Sequence, residues 1–238
     1  MNKFVIGDIH GGYRALLQCL ERSEFNKEED LLIEIGDVAD GWPEVPQCVE
    51  ELMSIKNLIT IMGNHDEWCY EWLVYSTAPY LWLSQGGEAT KNAYIEMLDK
   101  IDRDAHVKFF KDKQNYYIDD DNRAFVHGGY SSMEGLGKDH PSTYLWDREL
   151  LNIAMSGKSN CKKNGIIPKL LRPYKEIFIG HTTTTFWKNR DTPIHACNVW
   201  DVDTGGGWSG KLTIMNIDTK KYWQSDKVSD LYPNAKRR

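Results

Sequence analysis

The chain has 238 residues, 41% hydrophobic and 27% charged, a balance ordinary for a soluble globular protein of one large domain or two small ones. Its net charge of -6 argues against a broad nucleic-acid-binding face, and no stretch is long and apolar enough to span a bilayer. The five cysteines, Cys19, Cys48, Cys69, Cys161 and Cys197, are scattered and odd in number, which predicts free thiols in a reducing compartment. The opening MNKFVIGDIHGG turns polar too quickly for a signal peptide, so a cytoplasmic protein is expected.

In chain order, Lys3 to Ile6 reads as a short buried strand ending in Gly-Asp. Tyr13 to Glu21 spaces Leu16, Leu17 and Leu20 along a helix face. Leu31 to Ile35 is a second strand ending in Gly-Asp, Pro43 to Ile55 a second helix, and Leu58 to Met62 a third strand ending in Gly-Asn-His-Asp. Glu67 to Leu83 reads as helical in part, Gly86-Gly87 as a break, and Ala89 to Leu98 as a helix. Asn115 to Ile118 and Arg123 to Val126 flank an Asp-Asp-Asp-Asn turn, and the second of them leads into His127-Gly128-Gly129. Residues 131 to 164 read as a polar loop with a helix around Asp147 to Ala154. Ile177 to Ile179 is a strand leading into Gly180-His181-Thr182. The last third, Asn198 to Trp223, reads as antiparallel strands, and residues 226–238 as a polar tail that frays, leaving 1–225 as one domain.

Five motifs therefore follow strands: Gly7-Asp8-Ile9-His10-Gly11, Gly36-Asp37-Val38-Ala39-Asp40-Gly41, Gly63-Asn64-His65-Asp66, His127-Gly128-Gly129 and Gly180-His181-Thr182. In α/β sheets ligands gather at the carboxyl ends of strands, so the five predict one shared site. Carboxylate, imidazole and amide oxygen are the donors that borderline divalent cations take. Asp8 and His10, two apart on an extended strand end, face the same side and suit one ion.

The ordered set resembles the calcineurin-like metallophosphoesterases. Within them it is similar to PPP-type Ser/Thr protein phosphatases, nearest to compact bacterial and bacteriophage members such as lambda phosphatase. Gln85 to Thr90, Leu145-Trp146-Asp147-Arg148 and Asp203-Thr204-Gly205 extend the likeness over most of the chain. The resemblance implies an α/β fold, a four-layer α/β/β/α sandwich of two mixed sheets flanked by helices. It implies two divalent metal ions, with Mn²⁺ expected and Fe, Zn²⁺ or Ni²⁺ also suited. Asp8 and His10 would bind the first ion, Asp37 would bridge both, and Asn64, His127 and His181 would bind the second. His65 would protonate the leaving oxygen, Asp40 would orient it, and Arg148 would grip phosphate. A hydroxide bridging the two ions would attack a phosphate monoester of the phosphoserine, phosphothreonine or phosphotyrosine kind. Nucleotide hydrolysis of the diadenosine tetraphosphatase type is the alternative, and a non-catalytic metal-binding scaffold is a third reading.

One residue departs from the family's pattern: Gly41 stands where an arginine that helps bind phosphate is expected, with Arg148 or Arg190 to compensate. Trp42, beside it, would offer a stacking face to a base, whereas Trp68 and Trp72 read as core packing. His106, His140 and His195 match no ligand motif, and Gly157-Lys158-Ser159 lacks the glycine and strand of a P-loop.

Overall fold

The computed structural model describes residues 1–187 and 190–235. The elements run β1 (Lys3–Ile6), α1 (Tyr13–Arg22), β2 (Leu31–Glu34), α2 (Val45–Met53), β3 (Asn57–Thr60), α3 (Asn64–Tyr75) and α4 (Tyr80–Trp82). There follow α5 (Glu88–Met97), α6 (Arg103–Lys111), β4 (Tyr116–Ile118), β5 (Arg123–Val126), α7 (Pro141–Trp146) and α8 (Glu149–Asn164). The chain closes with β6 (Glu176–Ile179), β7 (Ile194–Ala196), β8 (Val199–Asp201), β9 (Thr213–Asn216), β10 (Tyr222–Gln224) and α9 (Val228–Leu231).

The strands form two five-stranded sheets, ordered β10-β9-β1-β2-β3 and β4-β5-β6-β8-β7. Both are mixed: β1, β2 and β3 run parallel, as do β5, β6 and β8, while β9 and β10 in the first sheet and β4 and β7 in the second pair antiparallel. Side-chain alternation explains the layering. Val5, Ile33 and Met215 from the first sheet meet Phe125 and Phe178 from the second in a common core. Their neighbours Phe4, Ile6 and Leu32 point the other way, to the core under α1 and α2, and Ala124 and Val126 point to the core under α8. The Phe125 and Phe178 rings, on neighbouring strands of the second sheet, stack at 4.9 Å between centroids and form its share of this common core. This is the four-layer sandwich expected.

The final third is not wholly antiparallel, because β8 pairs parallel with β6. The segment 131–164 carries two helices, α7 and a 16-residue α8 that runs to Asn164. Gly157-Lys158-Ser159 lies within α8, not in a phosphate loop. Helix α6 had no counterpart in the sequence reading; the Asp102 carboxylate caps it, accepting from Asp104 and Ala105 N–H. The start of the polar tail is not free: Val228 and Tyr232 are buried, and Tyr232 stacks on Trp42. The end of that tail, 236–238, lies outside the described residues.

Cys161 and Cys197 form a disulfide, with Cα atoms 5.5 Å apart, while Cys19, Cys48 and Cys69 are free and buried. The expectation of five free thiols fails at this pair. The bridge ties the last turns of α8 to the β7–β8 turn across 36 residues, an approach set by tertiary packing that cysteine spacing does not register.

Candidate metal centre

Six parallel strands bring their carboxyl ends to one edge of the sandwich. Past β1 come Asp8 and His10, past β2 Asp37 and Asp40, and past β3 Asn64 and His65. The second sheet adds His127 past β5, His181 past β6 and Asp203 past β8. All six residues expected to hold metal are buried there. Donor atoms of Asp8, His10 and Asp37 lie within 4.8 Å of one another, and so do those of Asp37, His127 and His181. Asp37 belongs to both groups. Asn64 joins the second, with its Oδ1 3.2 Å from His127 Nε2.

The local backbone aims these groups. His10, Asp37, Asp40 and His181 all take positive φ, between 50° and 70°. Such strain gathers at functional sites and persists only where surroundings impose it. The loops after β1 and β2 are zipped together, with His10 N–H donating to the Asp37 carbonyl at 2.8 Å. His181 N–H donates to Asp8 Oδ2 at 3.0 Å and so ties one sheet to the other. Only glycine fits at 180, since a Cβ there would lie 2.2 Å from Asp8 Oδ1. His10 and His127 each present Nδ1 to a backbone carbonyl, of Ala39 and Ile35, at 3.0 Å. An Nδ1–H donated there leaves the Nε2 lone pair facing the site, the tautomer a metal ligand needs.

The electrostatics fit divalent cations. Burial pushes the Asp8 carboxyl well above the usual range, and Asp203 and Asp37 add to that repulsion. Burial alone would raise Asp37 too, but His127, His65 and His10 outweigh it and hold Asp37 well below that range. Burial, with the neighbouring His127 and Arg148, takes His181 down to about 2, so its ring is neutral. Asp8 Oδ1 and His181 Nε2 are buried with no hydrogen-bond partner among the described residues. Orphaned acceptors of this kind cost free energy unless something coordinates them.

His65 stands against this cluster. Its backbone N–H donates to Asp37 Oδ1 at 3.0 Å, and its Nδ1 lies 2.6 Å from Asp40 Oδ2. Asp40 is itself fixed by Trp82 Nε1–H at 2.8 Å and by the Thr90 hydroxyl at 2.7 Å. Trp82 reaches it across the expected Gly86-Gly87 break, where a Cβ on Gly87 would strike the indole at 2.4 Å. Arg148 is exposed at the rim, its Nη1 donating to the His181 carbonyl at 3.0 Å and to Thr182 Oγ1 at 3.1 Å. Arg190 is exposed and meets Thr184 through its own carbonyl.

Several functional neighbours had escaped the sequence reading. Asp203 faces Asp8; an acid two residues past strand β8 was the available signal. Asp66 accepts from the backbone N–H of Asp37, Val38, Ala39 and Gly63, at 2.8 to 3.1 Å, and so folds the loop that carries Asp37. Lys113, just past α6, pairs with Asp66 at 3.0 Å and with Glu34, all three side chains being fully buried. Removing one member of such a network strands the others. Lys113→Ala is therefore expected to cost about 3–5 kcal/mol of unfolding free energy, measured by urea denaturation. A loss below about 1 kcal/mol would show that water or relaxation replaces the ammonium.

Trp42 is buried, stacked on Tyr232, and donates from Nε1 to the Gly206 carbonyl, so it offers no stacking face. Trp72 packs against Trp82 and Tyr94 in the core, as expected, but Trp68 does not share that role: its ring meets His65. The histidines outside the motifs stay outside the site. His106 is buried between Tyr94 and Glu50, His140 caps α7, and His195 stacks on Trp200.

A fold of two mixed sheets with paired Asp/His ligand groups at one edge defines a metallophosphoesterase. The chain belongs to the calcineurin-like phosphoesterase family, whose model matches residues 1–204. It is 26% identical to serine/threonine-protein phosphatase 1 of Salmonella typhimurium, across 90% of this chain and 91% of that one. It is 22% identical to the symmetrical bis(5'-nucleosyl)-tetraphosphatase of Pectobacterium carotovorum, across 96% of each. The cold-active protein-tyrosine phosphatase of a Shewanella species shares the fold, with a TM-score of 0.58 at 15% identity over 94% of this chain and 80% of that one. No described helix is long and apolar enough to cross a membrane.

Proposed function

We propose that the chain is a metal-dependent phosphomonoesterase whose substrates are side-chain phosphates of proteins. The observation that carries this reading is Asp37, shared by two ligand groups, with the His65–Asp40 pair bonded directly against it. Asp8 and His10 would hold one cation, Asn64, His127 and His181 a second, and Asp37 both. Two divalent cations, when bound, supply Lewis-acid activation of water and neutralise phosphoryl charge. Mn²⁺ is the proposed ion; Fe, Zn²⁺ and Ni²⁺ suit the same donors.

The chain's own residues do the rest. His65 donates a proton to the departing oxygen, which as an alkoxide would be a poor leaving group. Asp40 accepts from Nδ1–H, which orients the ring and leaves Nε2 as the nitrogen that gives the proton. Arg148 presents a guanidinium fork to the phosphoryl oxygens at the rim. Because Gly41 supplies no second guanidinium, Arg148→Ala is expected to raise KM and lower kcat together, each by about tenfold. Steady-state kinetics on p-nitrophenyl phosphate measures this; unchanged constants would remove Arg148 from the site.

The relatives that cleave bis(5'-nucleosyl) tetraphosphates support a second reading, hydrolysis of a nucleotide anhydride. Turnover of a phosphopeptide beside diadenosine tetraphosphate separates the two. Faster cleavage of the phosphopeptide is expected, and cleavage of the dinucleotide alone would overturn the reading given first.

A further inference from the structure

The rings around the metal centre continue outward into a wall. His65 and Trp68 lie three residues apart on α3, hence on one helix face, and their rings meet edge-on at 5.3 Å. Trp68 meets Trp146 at 5.3 Å with their planes 66° apart, and Trp146 meets His181 at 5.9 Å. Trp146 comes from the end of α7, two residues before Arg148. One helix thus supplies a metal-facing amide, the acid histidine and an indole. One short segment supplies a second indole and the phosphate-facing guanidinium. Trp146 is 41% exposed and so leaves part of its indole bare at the mouth of a buried polar site.

We propose that Trp68 and Trp146 seat the ring of an aryl leaving group, so that the preferred substrate is a phosphate ester borne directly on an aromatic ring, as in phosphotyrosine. The proposal rests on the phosphomonoesterase reading of the same site. An oxygen that takes its proton from His65 has its next atoms beside Trp68, because the indole adjoins that imidazole. An arene attached to that oxygen fills the corner between the two indoles. A serine side chain leaves the corner open, and a nucleobase is held a ribose away from its phosphate. In the reaction the phosphorus–aryl-oxygen bond breaks, water supplies the new phosphorus–oxygen bond, and the phenol leaves with the proton from His65.

Binding of phenylphosphonate and methylphosphonate to the Mn²⁺-loaded protein, by titration calorimetry, tests the seat without turnover. The wild type is expected to hold the phenyl compound about tenfold more tightly, the scale of one good aromatic contact. Trp68→Ala and, at the exposed position, Trp146→Ala should each bring that ratio toward one. The ratio of kcat/KM for phosphotyrosine and phosphoserine versions of one peptide should fall by a similar factor. Equal binding of the two phosphonates by the wild type, or a ratio that both variants preserve, would overturn the seat. Absence of hydrolysis of every phosphate ester would instead overturn the phosphomonoesterase reading, and the phosphonate ratio still reads the seat in that event.

Discussion

Asp37→Asn is expected to lower turnover of p-nitrophenyl phosphate by about 10³-fold or more while leaving the fold intact. Asp37 is the one side chain common to both ligand groups. Its backbone is held by Asp66, and its Oδ1 accepts the His65 N–H. An asparagine keeps the shape and can keep that hydrogen bond. It loses the negative charge and offers one oxygen where the aspartate offers two. With that charge gone, the two groups that share Asp37 would hold a pair of divalent cations less well. A factor of 10³ corresponds to about 4 kcal/mol of barrier, in keeping with the several kcal/mol that metal assistance supplies. Circular dichroism and a thermal melt should match the wild type. A variant that keeps more than a tenth of the activity would show that Asp37 does not organise the site.

His65→Gln should have the second largest effect, and one that depends on the leaving group. General acid catalysis contributes about 10²- to 10⁴-fold. The benefit grows with the basicity of the oxygen that departs. The variant should therefore lose about 10²-fold or more on a phosphoserine peptide but much less on p-nitrophenyl phosphate, whose phenolate leaves unaided. Asp40→Asn should follow the same pattern more weakly, since Trp82 and Thr90 still hold the side chain that orients the ring. Equal losses on both substrates would assign His65 a structural part, through its backbone bond to Asp37.

The sheets and the candidate metal-holding residues were legible for one reason. Buried parallel strands are short apolar runs, and five of them lead into Gly-Asp, Gly-Asn-His, His-Gly or Gly-His where the chain turns. Asp8, His10, Asp37, Asn64, His127 and His181 all follow from that rule, and the positions of the strand ends converge as it requires. What escaped was set by contacts between distant segments. Lys113 looks like any surface lysine until Glu34 and Asp66 are found beside it, 79 and 47 positions away. Trp42 sits next to the motif yet turns into the core against Tyr232, while Trp68, placed at helical spacing with Trp72, turns to the site. Sequence spacing gave both indoles of α3 the same environment, but the segment bearing Trp146 packs against only one of them. The disulfide between Cys161 and Cys197 is the same kind of case.

The most direct test is to titrate Mn²⁺ into metal-stripped protein while following p-nitrophenyl phosphate hydrolysis and bound metal together. Activity that is absent at the start, rises with added metal and saturates at two equivalents per chain is the expected result. Full activity without metal, or saturation at one equivalent, would contradict a centre built from two ligand groups around Asp37.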